Sequence, residues 1–253
     1  MTMKRSHLLG LIVPAGLLAA WTGAARFGLL PAQILPDPAL VAQTIGETLG
    51  SGELWMHLSA SLQRIAVGFA LGAVAGLLLG AAIGASPSLR ALFRTPFLVM
   101  TQLHALAMLP LIVLVFGIDE EMKLFVIGWA TFIPVVLNTA QGIREVCPAW
   151  LEVGRVLGFD PWYQATRVVL PAAAPSIFTG IREGLANAWQ ALILAELFAS
   201  SEGLGYLIVW GRQLFQLDLV LTAILTIALV GLLLNGVLGI AERRLYRWRG
   251  GVA

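Results

Sequence analysis

The stretch Ile65-Ala66-Val67-Gly68-Phe69-Ala70-Leu71-Gly72-Ala73-Val74-Ala75-Gly76-Leu77-Leu78-Leu79-Gly80-Ala81-Ala82-Ile83-Gly84-Ala85 decides the fold. It runs between Arg64 and Arg90 without a charge. A helix of that length rises roughly 30 Å, the thickness of the hydrocarbon layer of a bilayer. Barrel strands of about 10 alternating residues do not produce such runs. Gly68, Gly72, Gly76, Gly80 and Gly84 recur at every fourth position, so they lie along one gently drifting stripe. Small residues at that spacing let a second helix backbone approach closely. The stripe reads either as a packing seam within the chain or as a surface that slides during a conformational change.

Working outward, five further gaps between charges have the length of membrane spans. They are about Leu8 to Ala25, Phe97 to Ile118, Leu124 to Ile143, Ala172 to Ser200 and Leu219 to Ala241. The sequence therefore predicts an all-α membrane protein with about six transmembrane helices. Composition agrees: 58% of the 253 residues are hydrophobic and 12% are charged, against about 25% charged in a soluble domain. The first span follows Lys4 and Arg5 as a signal peptide would, but Trp21 to Ala25 is a weak cleavage site and the apolar run is long. It is read as a retained span. Six spans put both termini on one side. With the termini inside, Lys4, Arg5, Arg90, Arg94, Arg144, Arg155, Arg167, Arg243, Arg244, Arg247 and Arg249 are cytoplasmic. Only Arg26, Arg64, Lys123 and Arg212 are then outside, and this bias orients the chain.

Several activities are excluded by residue count. The one cysteine, Cys147, allows no intramolecular disulfide and no CxxC site. His7, His57 and His104 are too far apart for a metal-binding helix motif. Neither lysine, Lys4 or Lys123, follows a glycine, so the chain has no GxxxxGK[ST] phosphate loop. Any ATP, and its magnesium, would be bound by another chain, and no cofactor is expected on this one. The net charge of +2 gives no reason to expect a nucleic-acid partner.

The longest cytoplasmic loop, about residues 144–171, carries the clearest local signals. Gly158 suits a helix C-cap, where a left-handed residue is wanted. Asp160 followed by Pro161 suits an N-cap and first helical position. Pro171 is read as setting off the next helix. A short helix, a sharp corner and a second helix should face the cytoplasm. Val153, Val156, Leu157 and Phe159 then form an apolar docking knob, or else pack on the inner membrane surface.

Glu152, Gly158 and Leu170-Pro171 are similar in spacing to the "EAA" loop of the permease subunits of ABC importers. The chain departs from that pattern at Val153 and Gly154, where the family has two alanines. Ile34-Leu35-Pro36-Asp37-Pro38, Ser51 to Leu58 with Ser61 to Arg64, Leu109-Pro110-Leu111, Phe116 to Glu120, Ala195-Glu196 and Gly203 to Tyr206 resemble the sulfonate, taurine and nitrate subfamily. Ser51 to Trp55 and Phe116 to Glu120 look most like an aliphatic-sulfonate permease. The resemblance covers about residues 30 to 245 and implies a type I importer permease fold. The whole chain, 1–253, would be one permease domain with its core at about 58–243. It implies a cytoplasmic-membrane location, membrane lipid around the spans, and a second permease copy as homodimer partner. It further implies an ABC ATPase subunit and an extracytoplasmic solute-binding protein. The ATPase would dock on Glu152, Val153, Gly154, Arg155, Leu157, Gly158, Phe159 and Asp160. The solute would be a small anion such as an alkanesulfonate, taurine or nitrate. The segment Thr101 to Met108 departs from the family, with His104 and Ala105 where prolines are usual.

Polar residues inside spans are expensive and are functional candidates. Arg182 and Glu196 share a helix face about 21 Å apart, too far to pair with each other. His104, Asn138, Arg182, Asn187, Trp189 and Glu196 are the candidates for the translocation path, each also readable as a packing or ion-pairing residue. A secondary transporter would instead use Glu183 and Glu196 as ion sites. The long inner loop has no job in that reading. An integral-membrane enzyme is weaker still, because no nucleophile and base occur together.

Overall fold

The structure, a computed structural model, describes residues 3–27, 31, 35–103 and 105–246. His104, one of the path candidates, lies outside the described residues. The described chain is helical, with no strand. Its elements are α1 (Met3–Arg26), α2 (Pro38–Gly50), α3 (Glu53–Ala85), α4 (Pro87–Met100), α5 (Ala105–Phe116) and α6 (Glu120–Arg144). There follow α7 (Pro148–Val156), α8 (Pro161–Gln164), a π turn (Ala165–Val169), α9 (Leu170–Ala199), α10 (Leu204–Gln213) and α11 (Leu217–Tyr246).

The core is a three-helix layer of α3, α6 and α9. The glycine stripe of α3 is the seam with α6. A Cβ placed on Gly68 would lie 2.7 Å from Ile127, on Gly76 2.9 Å from Val135, on Gly80 2.8 Å from Thr139 and on Gly84 2.9 Å from Ile143. Both numberings rise together, so α3 and α6 run parallel. On the other side of α6, Gly142 meets Ser176, Asn138 meets Gly180 and Thr131 meets Gly184. These numbers run in opposite senses, so α9 is antiparallel to α6. Close backbone approach through small residues replaces the hydrophobic drive that lipid cannot supply. The opposite surfaces stay apolar and uncovered, as Leu229, Leu232 and Val237 of α11 show.

Among the described residues three helices, α3, α6 and α11 over Leu217–Glu242, are long and apolar enough to cross a membrane. The run Pro161–Ala199 qualifies together with α10, from which it is bent by 40°. The expected single span from Phe97 to Ile118 is corrected: two shorter helices replace it. α4 begins ten residues earlier, at Pro87, capped by Ser86, whose hydroxyl accepts the Leu89 N–H. It ends after Met100 in tightened bonds, Gln102 N–H to Val99 and Leu103 N–H to Met100. Pro96 and Pro110 each remove a helical donor near this break. α5 rises only about 18 Å, too short to cross alone. Pro171 also sets off no new helix. The π turn before it closes with Leu170 N–H on the Ala165 carbonyl, and the chain passes into α9 without a stop. The wider turn tolerates the donor that Pro171 lacks.

Candidate functional site: a cavity beside a broken crossing

α4 packs near the C-terminal ends of α3 and α6, on Ile83, Val136 and Ala140. α5 packs near the opposite end, on Met122, Val126, Ala195 and Ala199. The break between them therefore falls midway along α6 and α9. A cavity of about 360 Å³ opens there, lined by Met100, Thr101 and Leu103 of the break, by Trp129, Pro134 and Asn138 of α6, and by Glu183, Asn187 and Gln190 of α9. Non-helical backbone at membrane depth is tolerated where it lines a water-filled cavity, because its N–H and C=O groups need partners.

The α9 wall is polar for a periodic reason. Glu183, Asn187 and Gln190 stand at i, i+4 and i+7, so they share one face, and all three are exposed in the single chain. Asn138 Nδ2 donates to Glu183 Oε2 at 3.0 Å and to the Pro134 carbonyl at 3.0 Å. Trp129 Nε1 is buried with no partner among the described residues. The described lining is otherwise mostly apolar, with Ala130, Ile133, Leu137 and Leu194 beside these groups, so a few neutral amides and one described carboxylate offer weak, scattered hydrogen bonding rather than tight capture.

The other path candidates are placed elsewhere. Arg182 turns toward α11, where Nη1 donates to Glu242 at 3.1 Å and Nε to Asn235 at 3.1 Å. Trp189 is buried in the core against Gly231. Glu196, 1% exposed, belongs to a charged cluster at the α3 N-terminal end. Arg64 donates to Glu196 at 3.0 Å, to both carboxylate oxygens of Glu120 and to Glu202 at 2.9 Å, and Lys123 pairs with Glu120. Ser61 donates to Glu196 and accepts the Leu204 N–H, while the Gly205 N–H also reaches Glu196. This cluster fastens the bend between α9 and α10. Glu183, read from the sequence as an ion site of a secondary transporter, and Gln190, a further polar residue of that span, join Asn187 on this wall through their helical period.

At the opposite end the expected corner is present. α7 stops in a Schellman turn: the Phe159 N–H donates to Gly154 O at 2.9 Å and the Gly158 N–H to Arg155 O at 3.1 Å, with Gly158 at φ 73°. Asp160 caps α8 by accepting the Tyr163 N–H. Gln164 spans the corner and donates to the Leu151 carbonyl at 2.6 Å, against the buried Gly154. Glu152, Val153, Arg155, Leu157, Gly158 and Asp160 are exposed and Phe159 is half-buried. Val156 at 87% and Trp162 at 76% exposure are large apolar groups left uncovered.

Membrane-crossing helices with a mid-depth cavity polar along one wall and a helical corner projecting from one end describe a transport permease. Residues 68–247 match the family described as binding-protein-dependent transport system inner membrane component, and the chain belongs to that family. It is the membrane-embedded permease subunit of an ATP-binding-cassette importer, an inner-membrane component that moves a small solute. A Bacillus subtilis (strain 168) protein assigned to aliphatic sulfonates transport, SsuC, is 41% identical over 95% of this chain and 87% of its own length. Its Escherichia coli (strain K12) namesake is 37% identical over 93% and 90%. The taurine transport system permease TauC of the same strain is 33% identical over 99% and 93%. A chain of the MetNI methionine ABC transporter, in inward-facing conformations, has the same fold. It superposes with a TM-score of 0.63 at 16% identity, over 74% of this chain and 93% of its own.

Proposed function

We propose that this permease imports a small sulfonate-type anion, with both termini in the cytoplasm and the α7–α8 corner docked on a separate ATPase subunit. Two copies form the pore, with the exposed faces of Glu183, Asn187 and Gln190 turned toward the shared path. An extracytoplasmic binding protein delivers the solute at the Arg64 end. ATP and magnesium are held by the ATPase, and this chain needs no cofactor. ATP binding draws the two ATPase subunits together, and the corner passes that motion to α6 and α9, between which it is strung. The two access states differ in their affinity for the closed ATPase dimer, and that difference drives the change.

The observation that carries the solute is the whole-length relation to the aliphatic-sulfonate permeases. The exposed apolar corner, closed by Gly158 and Asp160, supports the docking surface. The test is purification of the tagged chain from native membranes in mild detergent, with its companions identified by mass spectrometry and the complex reconstituted in liposomes. Recovery of a soluble ATPase, with ATP hydrolysis stimulated by a loaded binding protein and labelled ethanesulfonate taken up, is the expected result. Uptake along an ion gradient without ATP would overturn the reading.

A further inference from the structure

A second cavity, of about 470 Å³, adjoins the first and shares Thr101 and Leu137 with it. It lies toward the C-terminal ends of α3 and α6. Its walls are Phe93 and Phe97 of α4 with the aliphatic face of α6, and three arginines line it: Arg90, Arg94 and Arg144. None of its described lining residues is acidic. Arg90 and Arg94 are one helical turn apart, a spacing at which like charges repel. None of the three arginines makes an ion pair among the described residues, whereas Arg64, Lys123 and Arg182 all do. Arg90 donates from Nη2 to the Gly84 carbonyl at 3.0 Å, and its Nε is buried with no partner among the described residues.

Arginine at a membrane boundary is ordinary when it stands on the lipid rim. Here three arginines line one concavity, and one of them carries a buried N–H with no partner among the described residues. Guanidinium N–H groups in fork geometry match the oxygens of sulfonate, sulfate and phosphate. We infer that Arg90, Arg94 and Arg144 form a binding site for a tetrahedral oxyanion at the inner mouth of the path, the station an anionic solute meets after the mid-depth cavity. The assignment of the site to the exit route rests on the transport reading above; the binding of an oxyanion does not. The same chemistry serves a free anion or the phosphate of an acidic lipid.

The test uses the full chain, with the subunits that accompany it, in nanodiscs of phosphatidylcholine, titrated with inorganic sulfate by calorimetry against a chloride background of equal ionic strength. Saturable binding is expected. Arg94→Gln with Arg144→Gln should weaken it by roughly tenfold or more, the loss expected for charge-assisted hydrogen bonds. Arg94→Lys with Arg144→Lys should weaken it less, and Arg26→Gln, far along the chain on α1, should leave it unchanged. Arg94 and Arg144 are exposed, so the paired variant should melt with the parent. A second arm adds phosphatidylglycerol. Competition with sulfate in the parent assigns the site to the lipid phosphate, and no competition assigns it to the free anion. Absent sulfate binding, or binding untouched by the paired substitution in a protein that melts normally, overturns the site. Sulfonate uptake by the reconstituted complex is read separately: its absence with sulfate binding intact removes the transport reading and leaves the site standing.

Discussion

Arg64 of α3 and Glu196 of α9, 132 residues apart in the chain, meet at 3.0 Å with the arginine 5% exposed and the glutamate almost wholly buried. Their contact joins the start of α3 to the end of α9 and is completed by backbone N–H groups of the α9–α10 bend. Breaking a buried pair on one side strands a charge, which costs about 3–5 kcal/mol. Arg64→Leu should therefore lower the melting temperature of the detergent-solubilised chain sharply, followed by intrinsic tryptophan fluorescence. Arg64→Leu combined with Glu196→Leu should recover much of the loss. A double variant no better than the single would show that the cluster does not act as a compensated pair.

Glycine substitutions should separate the α3 seam from solvent-facing positions. A Cβ at Gly80 would stand 2.8 Å from both Thr139 and the Val136 carbonyl, with helix backbone behind it. Gly80→Ala should destabilise by about 1–3 kcal/mol through overpacking. Gly46, in α2, has nothing within 4 Å. Gly46→Ala should be neutral or stabilising by roughly 0.5–1 kcal/mol, because alanine loses less backbone entropy in a helix. Paired thermal melts decide it, and equal losses at both positions would contradict the seam.

The corner allows a test of coupling without a test of packing. Gly158 has φ 73° and open space around its Cα. Gly158→Asn should preserve transport, since asparagine accepts the left-handed conformation. Gly158→Val should misdirect α8, leaving ATP hydrolysis by the assembled complex running without uptake, while the melting of the spans changes by no more than about 1–2 kcal/mol. Uptake per ATP hydrolysed is the quantity to measure, and an unchanged ratio for the valine variant would remove the corner from the coupling route.

Residues of the mid-depth cavity should affect uptake more than folding. Asn187 and Gln190 are exposed in the single chain, and substitutions away from buried partners stay within about 0.5 kcal/mol. Asn187→Leu with Gln190→Leu should reduce initial uptake severalfold at unchanged melting temperature. Glu183→Gln tests the lone carboxylate: removal of its charge should raise uptake of a simple sulfonate, which carries no group to pair with it. A fall in uptake instead would show that the carboxylate favours the solute.

Much of this protein was legible before its structure. The runs Ile65 to Ala85, Leu124 to Ile143, Ala172 to Ser200 and Leu219 to Ala241, read as spans, became α3, α6, α9 and α11, with ends displaced by a few residues except for the α3 start at Glu53. Gly158, Asp160 and Pro161 announced the corner because caps and left-handed turns are local chemistry. The run from Phe97 to Ile118 misled because an apolar run between two charges cannot say where a helix stops. Pro96 and Pro110 were visible, yet the break falls between them at Thr101 to Leu103. Arg182 and Glu196 looked like path residues because each is charged at membrane depth, and only their partners on other helices show where they point.

The sequence by itself determined the class of environment, the helical content and the local corner. Hydrophobic length, residue spacing and caps act within a few turns of one segment. The tertiary structure alone decided that α3 lies parallel to α6 through its glycines, that α9 turns Glu183, Asn187 and Gln190 to a cavity, and that Arg64 neutralises Glu196. Those facts depend on which helix faces which. That choice is made by backbone approach and by the pairing of desolvated groups far apart in the chain.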